Sequence, residues 1–268
     1  QQVASNRLGF SVSRTMSVAQ KLYESGYITY MRTDSKTYSK EFVDKTKKFI
    51  KQKYGEAFVG KHCNNLITNA KSPKKTKKKT KGKKVSKKQE DMAQEAHEAI
   101  RPTSSKITPE LSSISDSSEL KLYSLIWKRF IASQMVPAKI MRRSVEASVV
   151  NNNAYLFKAT SSDIIFSGFM KVSGVESSKI ISNQNDVSGE TNLPELKINE
   201  LLNIIEWLID KKETKPLPRF TEAKLIKALE ENGVGRPSTY AAIMSKLFDR
   251  EYVEKIKKTL TPTDVGKK

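Results

Sequence analysis

The sequence predicts an α+β protein with more than one domain. Apolar residues recur at helical spacing before residue 136, and the period changes to two from Lys139 onward. Helical spacing returns after residue 216. A chain of 268 residues is long enough to fold around two or more cores. We therefore expect helical regions on both sides of an antiparallel β region.

Four helices are predicted before residue 136. The first ends at Gly26 and can be capped by Ser11 or Ser13, and the second ends at Gly55. The third is polar and is stopped by Arg101-Pro102, because the residue before a proline disfavours helical geometry. The four predicted helices cover residues 11–24, 39–54, 89–100 and 118–135.

A β-branched and aromatic run, residues 28–34, separates the first two helices. Alternate residues of a strand share a face, so an extended run would place Tyr30, Arg32 and Asp34 together. A phenol one pleat from a guanidinium is suited to attack a phosphodiester, because a nearby positive charge favours the phenolate. The alternative is a half-buried strand tyrosine, and Tyr-x-Arg taken alone favours that alternative.

The middle of the chain predicts antiparallel strands. Small and apolar residues alternate with polar ones around residues 144–149, and three asparagines supply a turn at 151–153. Residues 154–160 and 164–172 are predicted as the second and third strands, and the apolar stretch 199–209 fits either a strand or a helix. We interpret this region as a β scaffold, because it contains few residues suited to catalysis.

Two helices and a hairpin are predicted at the C-terminal end. Thr221 can begin the first helix, a second passes through Ile243 and Leu247, and the hairpin starts near Tyr252. Between the helices, backbone amides, hydroxyls and one arginine meet the positive end of a helix dipole, which suits a phosphate. This segment reads Gly233-Val-Gly-Arg236-Pro-Ser238-Thr239-Tyr240. The alternative is an ordinary helix corner capped by Ser238.

His97 and Arg101 form a second phosphate-binding candidate. They are four residues apart, so their side chains point the same way if the last helical turn holds. A lone histidine is more often structural. A His/Arg pair beside a turn in a basic protein is suited to bind phosphate.

The charge of the chain favours a polyanionic partner. The net charge is +20, and eleven lysines in residues 71–88 supply +11 of it, so the remainder carries +9. A basic body of this kind is typical of nucleic-acid binding. We interpret residues 71–88 as a disordered insertion, either a passive loop, a non-specific phosphate tether or a nuclear-import-like tract.

Composition excludes several other classes. No apolar run approaches the ~20 residues of a membrane span. One cysteine, Cys63, excludes a disulfide framework and a cysteine-ligated zinc site, and two histidines disfavour an all-protein zinc site. The chain begins with Gln1 and shows no signal or transit peptide, so we expect it to be a segment of a longer protein.

Three separated segments together resemble the bacterial type IA DNA topoisomerase I family, in the same order and at approximately the same spacing. The resemblance covers nearly all of the chain except the lysine-rich insertion. The segments are Leu22-Tyr-Glu with Ile28-Thr-Tyr30-Met-Arg32-Thr-Asp-Ser35, Ala96-His97-Glu-Ala-Ile-Arg101-Pro-Thr103, and Pro218-Arg-Phe-Thr-Glu222 with Gly235-Arg236-Pro-Ser-Thr-Tyr240.

The resemblance implies a role for each candidate residue. Tyr30 would be the nucleophile that forms a 5′-phosphotyrosine, and Arg32 would assist it. His97 and Arg101 would hold a nearby phosphate or orient the cleaved strand. The residues of the implied single-strand binding turn are Arg236, Ser238 and Thr239.

The resemblance also implies the activity and the domains. The activity is the relaxation of negatively supercoiled DNA by transient single-strand cleavage, strand passage and religation, without ATP. The implied domains are a helical gate domain carrying the tyrosine (1–136), an antiparallel β scaffold that forms an arch (137–215) and a partial helical base that binds single strands (216–268).

Further expectations concern what surrounds the chain. Mg²⁺ would be held by a toprim domain outside it, so no metal ligand is assigned here and the chain alone should be inactive in relaxation. We expect a monomer that binds single-stranded or underwound DNA and no membrane. Its location would be the cytoplasm, with the nucleoid, or a DNA-containing organelle. The alternative from another class is a non-enzymatic winged helix-turn-helix protein that reads duplex DNA through residues 220–262.

Overall fold

The computed structural model describes residues 1–60, 98–150, 152–174 and 193–267. They form two compact units, one made of Gln1–Val136 with Pro218–Lys268 and the other of Pro137–Leu217. Helices and antiparallel strands are both present, which confirms the mixed helix and sheet class. The three-domain division stays a prediction. The lysine-rich residues 71–88 and His97 lie outside the described residues.

Four helices are described in residues 1–60 and 98–136, the N-terminal part of the first unit. Their N-caps are set locally: Ser11 and Ser39 accept backbone N–H bonds from Arg14 and Phe42, and Asp116 accepts two from its own first turn. The predicted helices at 11–24, 39–54 and 118–135 are confirmed within one or two residues at each end. The helices are α1 Gln2–Leu8, α2 Val12–Glu24, α3 Lys40–Tyr54 and α4 Ser117–Ser133, with a 3₁₀ turn at Glu56–Phe58 after α3.

The polar helix predicted at 89–100 is described only at its end, and there the prediction is wrong. Residues 98–100 are not helical. The N–H of Ala99 donates to Thr37 O at 2.8 Å, and the N–H of Arg101 donates to Thr29 Oγ1 at 3.0 Å. Contacts distant in sequence therefore take the amides that a last helical turn would need.

The strand predicted at 28–34 is also absent. Its one bridge joins Ile28 to Pro102, and the chain bends at Met31 and Arg32. Ile28 and Met31 are buried, at 1% and 3% exposure, whereas Tyr30 is 41% exposed. Strand alternation would place residues 28 and 30 on one face. Here the buried residues are Ile28 and Met31, three positions apart, and Tyr30 between them faces outward.

The core of the N-terminal part lies where α2, α3 and α4 meet the 98–109 segment. Tyr123 is fully buried, and its hydroxyl donates to Ile107 O at 2.6 Å. The indole N–H of Trp127 donates to Ser105 O at 3.1 Å. These bonds satisfy buried polar groups and hold the segment after the His97–Arg101 motif against α4.

The C-terminal part of the first unit has two helices and a hairpin, as predicted. The elements are α6 Glu222–Glu231, α7 Tyr240–Asp249, β3 Val253–Ile256 and β4 Thr259–Pro262, followed by a 3₁₀ turn at Val265–Lys267. Val12 of α2 packs in one cluster with Ile226, Tyr240, Met244 and Leu260. The helix that leads to Tyr30 is therefore built into this core.

The second unit is an antiparallel ribbon of β1 Lys139–Val149 and β2 Asn152–Phe166, followed by the short helix α5 Met170–Ser173. The third strand predicted at 164–172 is wrong. Ile164 pairs with Ile140, and Phe166 pairs with Lys139 where β1 begins. Residues 164–166 therefore complete β2. No residue of β1 is left to pair beyond them, and the chain continues into α5.

The apolar stretch 199–209 forms neither the strand nor the helix expected. Apolar residues at 201, 204, 205 and 208 have helical spacing, but no regular element forms there. Ile205 and Ile209 are 100% and 92% exposed, and the ring of Trp207 lies 5.6 Å from that of Phe157 of β2. No helix in the described ranges is long and apolar enough to span a membrane.

Candidate functional site

Tyr30 lies on an irregular segment between α2 and α3. The buried side chains of Ile28 and Met31 anchor the chain on either side of it. Its ring packs edge-on with Tyr23 of the last turn of α2, at a centroid distance of 5.2 Å. Arg32 and Asp34 are exposed on the same short segment. The segment thus presents a phenol and a guanidinium to solvent.

The chain after His97 runs antiparallel to the entry into Tyr30. Thr29 N–H donates to Arg101 O at 2.9 Å, and Thr103 N–H donates to Tyr27 O at 3.0 Å. The Thr29 hydroxyl donates to Ala99 O and accepts from Arg101 N–H, each at 3.0 Å. Main-chain bonds therefore join the Tyr30 segment to the second motif.

The side chain of Arg101 is directed away from solvent. Its Nε donates to Glu98 Oε2 at 2.6 Å, and its side chain is 14% exposed. Its guanidinium carbon lies 3.8 Å from the centroid of the Phe42 ring, on the first turn of α3. An ion pair and a cation–π contact already stabilise the charge predicted to hold a phosphate.

The third motif forms a tight turn before α7. Gly235 has φ +78°, a conformation that L side chains rarely adopt. Arg236 N–H donates to Thr239 Oγ1 at 2.8 Å, and Thr239 N–H donates back to Arg236 O at 2.8 Å. Thr239, not Ser238, is the N-cap residue of α7, so the cap expected at Ser238 is wrong, while the alternative of an ordinary helix corner stays open. Thr239 fixes the turn, which leaves Arg236 and Ser238 exposed.

The turn lies at the start of a helix that packs against α2. Ser13 Oγ and Ser245 Oγ are 3.2 Å apart, and Gln1 Nε2 donates to Pro237 O at 2.9 Å. Glu222 of the third motif is buried and accepts from Val12 N–H at 3.2 Å and from Lys255 Nζ at 2.6 Å. The first and third motifs are thus joined through the beginning of α2.

Sequence reasoning missed three residues that organise the site. The motifs alone assign no role to Tyr23, Thr29 or Glu98. Each lies inside a motif or directly beside a motif residue. Their contacts join residues three, seven and 72 positions apart. The spacing of Glu98 and Arg101 suits an ion pair, whereas only their position in a motif could have pointed to Tyr23 and Thr29.

Within the described ranges, no group of three or more His, Cys, Asp and Glu residues is arranged to hold a metal ion. The expectation that Mg²⁺ ligands lie in another domain stays a prediction.

A family model described as DNA topoisomerase matches residues 1–268. The chain belongs to this bacterial DNA topoisomerase family, which confirms the type IA resemblance drawn from the three motifs. It is 41% identical over 275 residues to DNA topoisomerase 1 of Campylobacter jejuni, covering 99% of this chain and 34% of that protein. It is 44% identical over 260 residues to DNA topoisomerase 1 of Buchnera aphidicola, covering 96% of this chain and 26% of that protein.

A solved structure supports the same relationship. Full-length topoisomerase I from Thermotoga maritima matches with a TM-score of 0.69 and 33% identity, over 99% of this chain and 39% of that one. The chain thus spans between a quarter and two fifths of the length of these relatives.

Proposed function

We propose that this chain is the central part of a topoisomerase that relaxes negatively supercoiled DNA by transient cleavage of one strand at Tyr30. The observation that carries the proposal is the presentation of Tyr30. Its phenol is exposed between two buried anchors, two residues from an exposed arginine, in a chain of a topoisomerase family.

The proposed step is a transesterification. The Tyr30 oxygen attacks a backbone phosphorus, the Oη–P bond forms, and the bond from phosphorus to the 3′ oxygen breaks. The phenol proton is lost and the released 3′ oxygen gains one, so no net proton or electron is consumed. Because the 5′-phosphotyrosine keeps the phosphate activated, the 3′-hydroxyl can reverse the step without ATP. Strand passage takes place while the break is open.

The basic residues take separate parts in this proposal. Arg32 neutralises charge that grows on the phosphoryl oxygens. The exposed Arg236 and Ser238 hold the backbone of a single strand, on a turn that Thr239 keeps in shape. His97 completes the phosphate-binding set by resemblance. Arg101, whose charge is already paired with Glu98, is assigned to positioning.

The proposal extends to partners and location. The substrate is underwound DNA with single-stranded character, the protein acts as a monomer, and its place is the bacterial cytoplasm. Mg²⁺ would be bound by residues outside this chain. By the same reasoning, this chain alone should bind single strands weakly and relax supercoils poorly. Robust Mg²⁺-dependent relaxation by the isolated chain would show that the metal site is assigned to the wrong region.

The test is a covalent-trapping assay on the full-length protein with a 3′-end-labelled single-stranded oligonucleotide. A 5′-phosphotyrosine leaves the labelled fragment attached to the protein after denaturation. Tyr30→Phe should give no adduct and no relaxation while retaining oligonucleotide binding. Tyr155→Phe, at a 62% exposed tyrosine of β2, is the matched control. Wild-type adduct yield from Tyr30→Phe would overturn the assignment.

One structural observation keeps the non-enzymatic alternative in view. Helices α6 and α7 followed by the β3–β4 hairpin have the order of a winged helix-turn-helix. That alternative requires sequence-specific binding of duplex DNA and no covalent adduct from any tyrosine. The trapping assay separates the two functions.

A further inference from the structure

Glu98 joins two elements that flank the Tyr30 segment. Its Oε1 accepts from the N–H of Ser39, the N-cap residue of α3, at 3.0 Å. Its Oε2 accepts from Arg101 Nε at 2.6 Å, and its side chain is 23% exposed. A carboxylate beside a helix N-terminus interacts favourably with the helix dipole. Glu98 therefore fixes Arg101 relative to α3.

Arg101 is held on a second side by Phe42. The guanidinium lies over that ring, and Phe42 in turn packs against Phe130 of α4 at a centroid distance of 5.3 Å. The arginine is thus fixed between the carboxylate of Glu98, which is bonded to the N-cap residue of α3, and the ring of Phe42 on α3 itself. A side chain held in this way is suited to orient its own backbone.

The backbone of Arg101 in turn holds the residue before Tyr30. Its carbonyl accepts from Thr29 N–H and its N–H donates to the Thr29 hydroxyl. A continuous series of contacts leads from α3 through Glu98, Arg101 and Thr29 to the main chain of Tyr30.

We infer that Glu98 is a positioning residue for cleavage, which sets the main chain of Tyr30 through Arg101 and Thr29. The inference rests on the proposed function of Tyr30 as nucleophile. In-line attack requires the oxygen and the phosphorus to be aligned, and a misplacement of about 1 Å can cost about 100-fold in rate. Removing the charge of Glu98 releases Arg101 and with it the bonds to Thr29.

The first test is Glu98→Gln in the full-length protein, assayed with the 3′-labelled oligonucleotide. The cleavage rate at saturating oligonucleotide should fall by about 10- to 100-fold, with the Kd for the oligonucleotide changed less than about twofold. Arg101→Gln should give the same pattern, and the double variant should be no slower than the slower single variant, because both act through one contact. Additive losses would overturn the inference.

Binding measurements separate positioning from direct phosphate contact. If Arg101 held a phosphate, Arg101→Gln would weaken binding of the oligonucleotide. The number of phosphate contacts given by the salt dependence of binding would also fall by about one. Glu98→Gln would then free the arginine and tighten binding. Either result would overturn the inference.

Glu41→Gln is the matched control on the same helix. Glu41 pairs with Lys45 at 2.6 Å but is 79% exposed, and this variant should cleave like the wild type. Should Glu98→Gln fail to fold, Phe42→Leu keeps an apolar side chain while removing the ring beneath Arg101, and it should slow cleavage without weakening binding. Wild-type cleavage by the folded Glu98→Gln variant overturns the inference.

Hydrogen exchange without DNA makes the two proposals separable. The amides of Thr29 and Thr103 should exchange faster in Glu98→Gln and at the wild-type rate in Glu41→Gln. Unchanged exchange at both amides overturns the positioning inference. If Tyr30→Phe still forms the adduct while Glu98→Gln loosens these amides and slows cleavage, the assignment of Tyr30 fails and the inference that Glu98 positions this segment stands.

Discussion

The rings of Tyr23 and Tyr30 meet at an interplanar angle of 67°, and each side chain is 41% exposed. Tyr23 belongs to the last turn of α2, next to the fully buried Leu22. Tyr30 lies on an irregular segment. The ring of Tyr23 is therefore a surface on a helix against which the ring of Tyr30 can be oriented, and such pairs contribute about 0.5–1.5 kcal/mol.

Tyr23→Leu should lower the yield of trapped adduct several-fold, because the Tyr30 ring loses its aromatic neighbour. Oligonucleotide binding should stay unchanged. Tyr23→Phe retains the ring and is the control, which should cleave like the wild type. Equal yields from the leucine and phenylalanine variants would show that the ring contact is without effect on cleavage.

Thr29→Val should destabilise the fold by about 1–3 kcal/mol, because the valine leaves Ala99 O and Arg101 N–H without their hydroxyl partner. The quantity to measure is the free energy of unfolding in urea. Thr29→Ser keeps the hydroxyl, so its free energy of unfolding should fall by less than half as much as that of Thr29→Val. A valine variant as stable as the wild type would mean that water replaces the hydroxyl at no cost.

Gly235→Ala should cost about 1–3 kcal/mol and weaken binding of single strands. A methyl group there would lie 2.8 Å from Ile243 Cδ1, at φ +78°. Gly233→Ala is the matched control, because its φ is +69° but no atom lies within 4 Å of the added carbon. Denaturation should therefore find Gly235→Ala less stable than Gly233→Ala, and titration should find that it binds the oligonucleotide more weakly. The reverse order would contradict the turn geometry.

Burial raises the pKa of Tyr123 to about 12, with a smaller contribution from Tyr27. An unfolded phenol ionises near pH ~10, so between these values the unfolded chain loses a proton that the folded protein keeps. The contribution of Tyr123 to the free energy of unfolding is thus fully present below pH ~10. It is lost as the pH rises towards 12, and the loss is on the order of 2 kcal/mol.

Tyr123→Phe should be less stable at neutral pH by about 1 kcal/mol, because it loses the hydrogen bond to Ile107 O. It should also show a smaller loss of stability between pH 9 and 11. Urea denaturation at the two pH values measures both effects, with Tyr155→Phe as the exposed control. Parallel losses in wild type and Tyr123→Phe would exclude this tyrosine as the source.

Helices could be predicted where their signals are local. Ser39 caps α3 and Gly55 ends it, and both lie within the helix or directly beside it. The segment at Tyr30 could not be predicted, because the residues that bond its beginning are distant in sequence. Arg101 bonds Thr29 across 72 residues, and Thr103 bonds Tyr27 across 76. A strand needs a partner along its length, and residues 28–34 have a single bridge, at Ile28.

The site, too, could be predicted only where its signals are local in sequence. The exposure of Tyr30, Arg32 and Arg236 agrees with side chains that meet a ligand. Their roles stay predictions. Glu98 and Arg101 lie three positions apart, a spacing at which opposite charges also pair on a helix. This ion pair could therefore have been expected from the sequence, whereas the bond of Glu98 to Ser39 could not.

The bonds between Thr29 and Arg101 also bear on how much the intervening chain can vary. They close a loop of 72 residues, and the entropy of closure depends on the logarithm of that length. Deleting residues 71–88 would shorten the loop to 54 and change the closure free energy by only about 0.3 kcal/mol. Thermal denaturation of this deletion variant should therefore find the melting temperature nearly unchanged. Chain length between the two motifs is thermodynamically almost neutral, so a site assembled in this way can accept insertions of very different size.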